Sequence, residues 1–139
     1  MKNKLYLSLI IGALAFVSCN KDDDSSTSSN VINIIQQGSW KITLYNDNGV
    51  DELYYFTGYS FTFSNGTATA SKNSISLVGT YSSGVDDSQN KLYLDIGANV
   101  PFNEITNDWH IIEETSTKIR LEDVSGGNGG TDYLTFEKN

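Results

Sequence analysis

His110 is the only histidine of the chain, Cys19 the only cysteine and Arg120 the only arginine. Each can therefore be weighed alone for the chemistry it could carry. Nothing marks a nucleophile beside His110, and a Ser–His–Asp arrangement can be drawn only by choosing residues freely. Alternation with Trp109 and Ile111 puts His110 on one face of a strand, as a surface or hydrogen-bonded histidine. Paired carboxylates occur at Asp86-Asp87 and Glu113-Glu114. Neighbours in a strand point to opposite faces, so the second pair cannot readily share a substrate. No catalytic residue is assigned, and the chain reads as a non-enzyme. For metals, Asp47-Asn48-Gly49-Val50-Asp51-Glu52 gathers oxygen ligands but lacks the EF-hand spacing and its late bidentate Glu. Gly126 to Asp132 approaches the glycine-rich calcium nonapeptide, with its Asp one place late and in a single copy. Both segments read first as hairpin loops, with weak calcium binding left open at the first. A lone cysteine excludes a disulfide framework and any thiolate-rich zinc or iron–sulfur site. No metal site and no cofactor is assigned.

A binding role has more material. Tyr54, Tyr55 and Phe56 are consecutive and Tyr59 follows closely. Three aromatics in a row must turn at least one ring away from the core. Such a ring can hold an apolar molecule or stack on a sugar, and packing against a bent strand is the competing account. With 17 Asp+Glu against 9 Lys+Arg and a formal charge of −8, nucleic acid is excluded as a partner, because binding there depends on Lys and Arg displacing counterions from phosphates. The oligomeric state leaves no mark on the sequence.

The first residues give Cys19 its meaning. Lys2 and Lys4 precede an uncharged apolar run from Leu5 to Val17, shorter than the roughly 20 residues of a membrane-spanning helix and matched to the core of a secretory signal. Phe16-Val17-Ser18-Cys19 resembles a bacterial lipobox, with Phe16 in place of the usual Leu. The resemblance implies that residues 1–18 are removed and that Cys19 takes a diacylglycerol on its sulfur, tethering the protein to a membrane. Ordinary signal cleavage leaving a free thiol is the alternative. Residues 19–30 are polar and low in complexity, and read as a flexible linker. Within them Cys-x-Lys-Asp-Asp-Asp resembles the lipoprotein export signal of Bacteroidetes, which implies the outer membrane and its cell-surface face. A bland acidic linker would leave the periplasmic face open.

The elements that position these residues occupy 31–139. Asn30 is expected to cap a short helix over 31–37, with Val31, Ile34 and Ile35 on one face and Gly38 at its end. From Ser39 onward apolar residues recur every second position, the signature of half-buried strands. Trp40, Ile42 and Leu44 are expected to face the core, as are Tyr59, Phe61 and Phe63. About eight strands are expected: 39–45, 52–64 bent near Thr57-Gly58, 67–72, 75–82, 90–96, 108–114, 117–123 and 132–137. Asn48-Gly49 and Asn65-Gly66 supply tight turns, while 84–90 and 125–132 read as longer loops and 101–105 as one helical turn. Short connections make an antiparallel meander. The fold class is all-β, a small up-and-down barrel of about eight strands, with an open sandwich as the alternative. Ala68 and Ala70 beside an aromatic strand suit a narrow, tapered interior.

Gly38-Ser39-Trp40 opening the first strand after a short helix is similar to the Gly-x-Trp start of lipocalins. With GYSFTFSNGT, NDWHII and TKIRLEDVSGGNGGTDYLTFEKN, residues 38–139 resemble the lipocalin-like domains of Bacteroidetes lipoproteins. The resemblance implies that Trp40 covers the closed end of a barrel, met there by an arginine. Arg120 is the candidate partner, or else a solvated strand residue. It also implies a small hydrophobic ligand at the open end, beside Tyr54, Tyr55, Phe56 and Tyr59. The alternative function is a structural or interaction protein of the envelope, its barrel filled and its surface meeting glycan or another envelope protein.

Overall fold

Two-residue turns set the spacing of the sheet. Asn48-Gly49 and Asn65-Gly66 adopt positive φ (47° and 89°, 49° and 77°), the twist-matched geometry of tight hairpins. A computed structural model describes residues 26–125 and 129–139; residues 1–25, with Cys19 and the expected signal, lie outside it. Helix α1 covers Ser26–Ile35, and nine strands follow: β1 Trp40–Asp47, β2 Val50–Asp51, β3 Ser60–Ser64, β4 Thr67–Lys72, β5 Ile75–Asp86, β6 Gln89–Asp95, β7 Asn107–Glu114, β8 Lys118–Val124 and β9 Thr131–Lys138. All pairings are antiparallel, and all but β1–β3 and β1–β9 join strands consecutive in the chain. Pairing of β1 with both β9 and β3 closes eight strands into a barrel, with β2 as a short extra strand hairpinned to β1. The expected barrel is therefore the observed one, and the sandwich is not.

The strands run alternately up and down, so the barrel has two ends. The lower end holds the start of β1, the end of β9 and the two-residue turns after β3 and β5; the upper holds the long connections after β1 and β6. Helix α1 packs at the lower end. Its Val31 and Ile35 are fully buried, and Gln36 Nε2 donates to Tyr81 Oη at 2.7 Å. The helix starts at Ser26, so Asn30 lies inside it instead of capping it. Once tertiary packing fixes the last turn, each added residue gains a hydrogen bond without a new nucleation cost, and the helix extends back into the expected linker.

Three further expectations are corrected. Residues 52–64 are not one strand: Leu53–Tyr55 form a 3-10 helix and pairing resumes at Ser60. Crowded aromatics cannot all find a face in an extended chain, and the turn separates Tyr54 from Phe56. The expected loop 84–90 is instead a tight hairpin, with Asp87 and Ser88 carrying positive φ of 49° and 62° so that β5 continues to Asp86. Leu44 points outward. A bulge in β1 shifts the register between Ile42 and Leu44, so Tyr45 takes the inward place and Leu44 the outer one.

Inside, large and small residues interlock. Phe61 faces Ala70 and Phe63 faces Ala68 across β3–β4, all buried. Phe136 meets Phe61 and Phe63 edge-on at 5.4 and 5.8 Å, and Phe63 meets Tyr81 at 5.2 Å. Edge-to-face contacts of this kind add to the burial energy of the rings. Two buried indoles tie the barrel to its end elements: Trp40 Nε1 donates to the Ile35 carbonyl at 2.8 Å below, and Trp109 Nε1 to the Ile105 carbonyl at 3.0 Å above. Ile105 ends the expected helical turn, a 3-10 helix over Phe102–Ile105.

Candidate functional site

Three places compete: the upper mouth, the lower end around Trp40, and the outer wall. At the mouth, Tyr54, Tyr55, Phe56 and Tyr59 divide their work. Phe56 is buried and lies 5.3 Å from Tyr45 and 5.9 Å from Phe102. Tyr59 packs edge-on to Phe102 at 5.1 Å. Tyr54 alone is widely exposed, at 63 %, its ring tilted by 35° against that of Tyr55 at 4.2 Å. Hydrogen bonding to the Tyr55 phenol raises the Tyr54 pKa. The rings expected to line an opening thus include the ones that plug it. Tyr45 closes the seal, its hydroxyl donating to the Glu104 carbonyl at 3.2 Å. Burial raises the Tyr45 pKa most, and Asp47, Glu104, Asp132 and Glu52 raise it further. That negative field makes the mouth a poor entry for an anionic amphiphile.

At the lower end the structure does not bring Trp40 and Arg120 together. Arg120 pairs on the outer face with Glu113, Nη1 to Oε2 at 3.1 Å. Ile119 and Leu121 hold the inward positions beside it, so alternation forces Arg120 outward. The cation over the Trp40 ring is Lys138, its Nζ 5.6 Å from the centroid.

Glu113 and Glu114 point to opposite faces, as strand geometry requires. Glu114 sits opposite the buried Ile119, and its Oε2 is buried without a hydrogen bond. Burial raises its pKa. The folded state then holds this proton to higher pH than the unfolded chain does. Stability falls as pH rises past the ordinary Glu value, and the penalty stays above the folded pKa. Glu114→Gln should therefore be more stable than the parent at neutral pH, with the gap closing as the pH falls toward the ordinary Glu value of about 4.3 and gone below it; urea titrations across that range check it, and a constant gap would refute it.

His110 Nδ1 lies 3.0 Å from Glu122 Oε1 across β7–β8, a half-buried pair on the outer face. In the Asp47–Glu52 loop Asp51 Oδ1 accepts from the Leu53 amide at 3.0 Å, and Asn46 Oδ1, just ahead of the loop, accepts from the Gly49 amide at 2.8 Å. Of the Gly126–Asp132 segment, residues 126–128 lie outside the described residues. Asp132 Oδ1 accepts from the Asn48 amide at 2.8 Å. Among the described residues no cluster of three His, Cys, Asp or Glu could hold a metal ion, and no helix is long and apolar enough to cross a membrane.

The outer wall carries a groove of about 380 Å³, lined by Leu44, Asn46, Ile112, Arg120, Leu121, Tyr133 and Thr135. Two bulges make it. The one in β1 turns Leu44 outward; another in β7, between Ile111 and Glu113, leaves Ile112 as an extra residue. They flank β8 and β9, and bulges commonly re-aim side chains at functional positions. Across the floor, Leu44 faces Thr135 and Thr135 faces Arg120. Sequence reasoning found Arg120 but missed Leu44, Ile112 and Tyr133. The signal was present in the adjacent apolar pairs Leu44-Tyr45 and Ile111-Ile112, which strict alternation cannot place on one face.

No family profile matches the chain, and no curated protein matches it. Among solved structures, the crystal structure of a DUF4847-family protein from Bacteroides vulgatus is similar, with a TM-score of 0.51 and 17 % identity over 78 % of this chain and 97 % of that one. At that identity the likeness speaks for the fold alone.

Proposed function

We propose that this chain is a lipid-anchored protein of the bacterial outer envelope whose filled barrel binds on its outer wall, not in its interior. The plugged mouth carries the reading: Phe56 and Phe102 are both buried where a lipocalin-type calyx would need an opening, and aromatic side chains occupy the space below them. Anchoring rests on the apolar leader, on the lipobox-like Phe16-Val17-Ser18-Cys19 and on Asp22-Asp23-Asp24 behind it. A fold neighbour from a Bacteroides species fits the Bacteroidetes-type export signal. The charge distribution supports the same orientation. In the half of the barrel nearer α1, from which the linker leads to Cys19, Lys41, Lys91, Lys118, Arg120 and Lys138 balance Asp86, Asp87, Glu113, Glu114 and Glu137. At the far end Asp47, Asp51, Glu52, Asp95 and Glu104 outnumber the single cation Lys72. A body hung this way turns its charge-balanced end toward anionic headgroups and its acidic end away from them.

Replacing Cys19 with Ser should move the protein from the membrane pellet to the soluble fraction; unchanged pelleting would overturn the anchor. The filled interior has its own test. Purified protein should take up no neutral phenylnaphthylamine, and saturable uptake that survives Leu44→Asp on the outer wall would overturn it.

A further inference from the structure

We propose that the outer-wall groove binds a small carboxylate that carries an apolar face, an inference that rests on the outer-wall reading above. The chain has 17 Asp+Glu, yet not one of them lines this groove, and its single charged lining residue is the only arginine. The one charge in its lining is thus a guanidinium, with Glu113 beside it as its present partner.

The polar atoms are mostly donors. Arg120 offers five N–H groups, and Glu113 Oε2 accepts from one of its nitrogens, Nη1, at 3.1 Å. Both side chains are more than a third exposed, so that pair is worth at most about 1 kcal/mol. It can give way to a ligand carboxylate held by two parallel bonds on the guanidinium fork. Asn46 already uses its Oδ1 on the Gly49 amide, which leaves its NH₂ for an acceptor. In the same lining, Leu44 and Ile112 stand 42 % and 36 % exposed, apolar surface whose removal from water favours binding. The volume of about 380 Å³ is at the small end of the ligand range, so the occupant is one or two rings or a short chain. A second cleft, of about 400 Å³ over β5–β7, is lined by Asp95 with Thr80, Ser82 and Tyr93 and has no cation. It should refuse the same ligand and serves as an internal control.

Two sources share this chemistry: a sugar acid, with its pyranose face on Leu44 and Tyr133, and an acyl carboxylate. Calorimetric titration of the full mature chain with glucuronate, glucose, decanoate and decanol separates them. One of the two acids should bind at least about tenfold more tightly than its neutral counterpart, as a charged bidentate contact implies, and which acid does so names the source. Arg120→Gln should remove that preference, Arg120→Lys should keep part of it, and Tyr93→Ser in the other cleft should change nothing. Glu113→Gln should tighten binding several-fold by freeing the guanidinium, an effect that a merely structural arginine would not give. Equal affinity for acid and neutral forms, no binding of either acid, or an Arg120→Gln variant that binds as the parent does would each overturn the assignment. Failure here, with Cys19→Ser released and the neutral probe refused, would remove the ligand class and leave the anchored, filled barrel standing.

Discussion

Replacing Trp40 with alanine is expected to cost about 3–5 kcal/mol of folding stability, the range for deleting a large buried aromatic. Trp40 is fully buried and occupies the residue through which the barrel closes. It pairs with Lys138 on β9 and with Phe61 on β3, the latter being the one register pair that joins β1 to β3. Three losses coincide on truncation. A cavity opens under α1, the Ile35 carbonyl loses the indole N–H at 2.8 Å, and Lys138 loses the ring beneath it. Smaller changes divide the total. Trp40→Phe keeps most of the volume and should cost about 1–3 kcal/mol, chiefly from the orphaned carbonyl. Lys138→Ala should cost about 0.5–1 kcal/mol, as an exposed cation–π pair does. Arg120→Ala should stay within about 1 kcal/mol, since it removes only a surface ion pair. Denaturant unfolding followed by far-ultraviolet circular dichroism measures all four. A loss below about 1 kcal/mol for Trp40→Ala, or a larger loss for Arg120→Ala, would contradict the arrangement.

The contrast between Trp40 and Arg120 shows where sequence periodicity is informative. Burial at Trp40, Ile42, Phe61 and Phe63 was legible because each lies in a run whose apolar residues recur every second position. The hairpins at Asn48-Gly49 and Asn65-Gly66 were legible because their residue types tolerate positive φ. Closure followed from the meander, since an exposed edge is a liability that a barrel removes. What alternation could not see is a change of phase. One inserted residue in β1 and one in β7 reverse inside and outside from that point on. Leu44, assigned to the core, was thereby moved to the groove wall, and Ile112 was never considered. Nor does a local pattern say how an aromatic cluster is spent. Tyr54, Tyr55, Phe56 and Tyr59 look alike in sequence, and only the position of the distant Phe102 decides that Phe56 and Tyr59 seal the mouth. Lys138 took the place over Trp40 for a similar reason: the partner was fixed by β1–β9 register, which no motif encodes.

Gly79→Ala should cost about 3 kcal/mol, although it adds only one carbon to a half-exposed strand. Gly79 faces the buried Ala68 across β4–β5, so an added methyl would point inward. Its neighbour Thr80 pairs with Asp95, the last residue of β6. Beyond that point the chain leaves the sheet through Ile96 and Gly97 and crosses directly over Gly79. A Cβ there would lie well inside contact distance of the Asp95 carbonyl oxygen and Ile96 Cα. Both obstacles are backbone, so no rotamer change relieves the clash. Either the end of β6 moves, breaking pairing near Asp95, or β5 shifts and disturbs the Ala68–Phe63 layer. Overpacking usually costs about 1–3 kcal/mol, and an obstacle of main chain puts this site at the top of that range. Backbone strain does not enter, because Gly79 is not among the glycines with positive φ. The adjacent Val78, exposed at 67 %, provides the control: Val78→Ala should stay within about 0.5 kcal/mol. Hydrogen exchange would localise the Gly79→Ala effect, with amides of β6 near Asp95 and of β5 near Thr80 losing protection first. A Gly79→Ala protein as stable as the parent would mean that the end of β6 does not cross at this height, and the corner of the barrel would have to be redrawn.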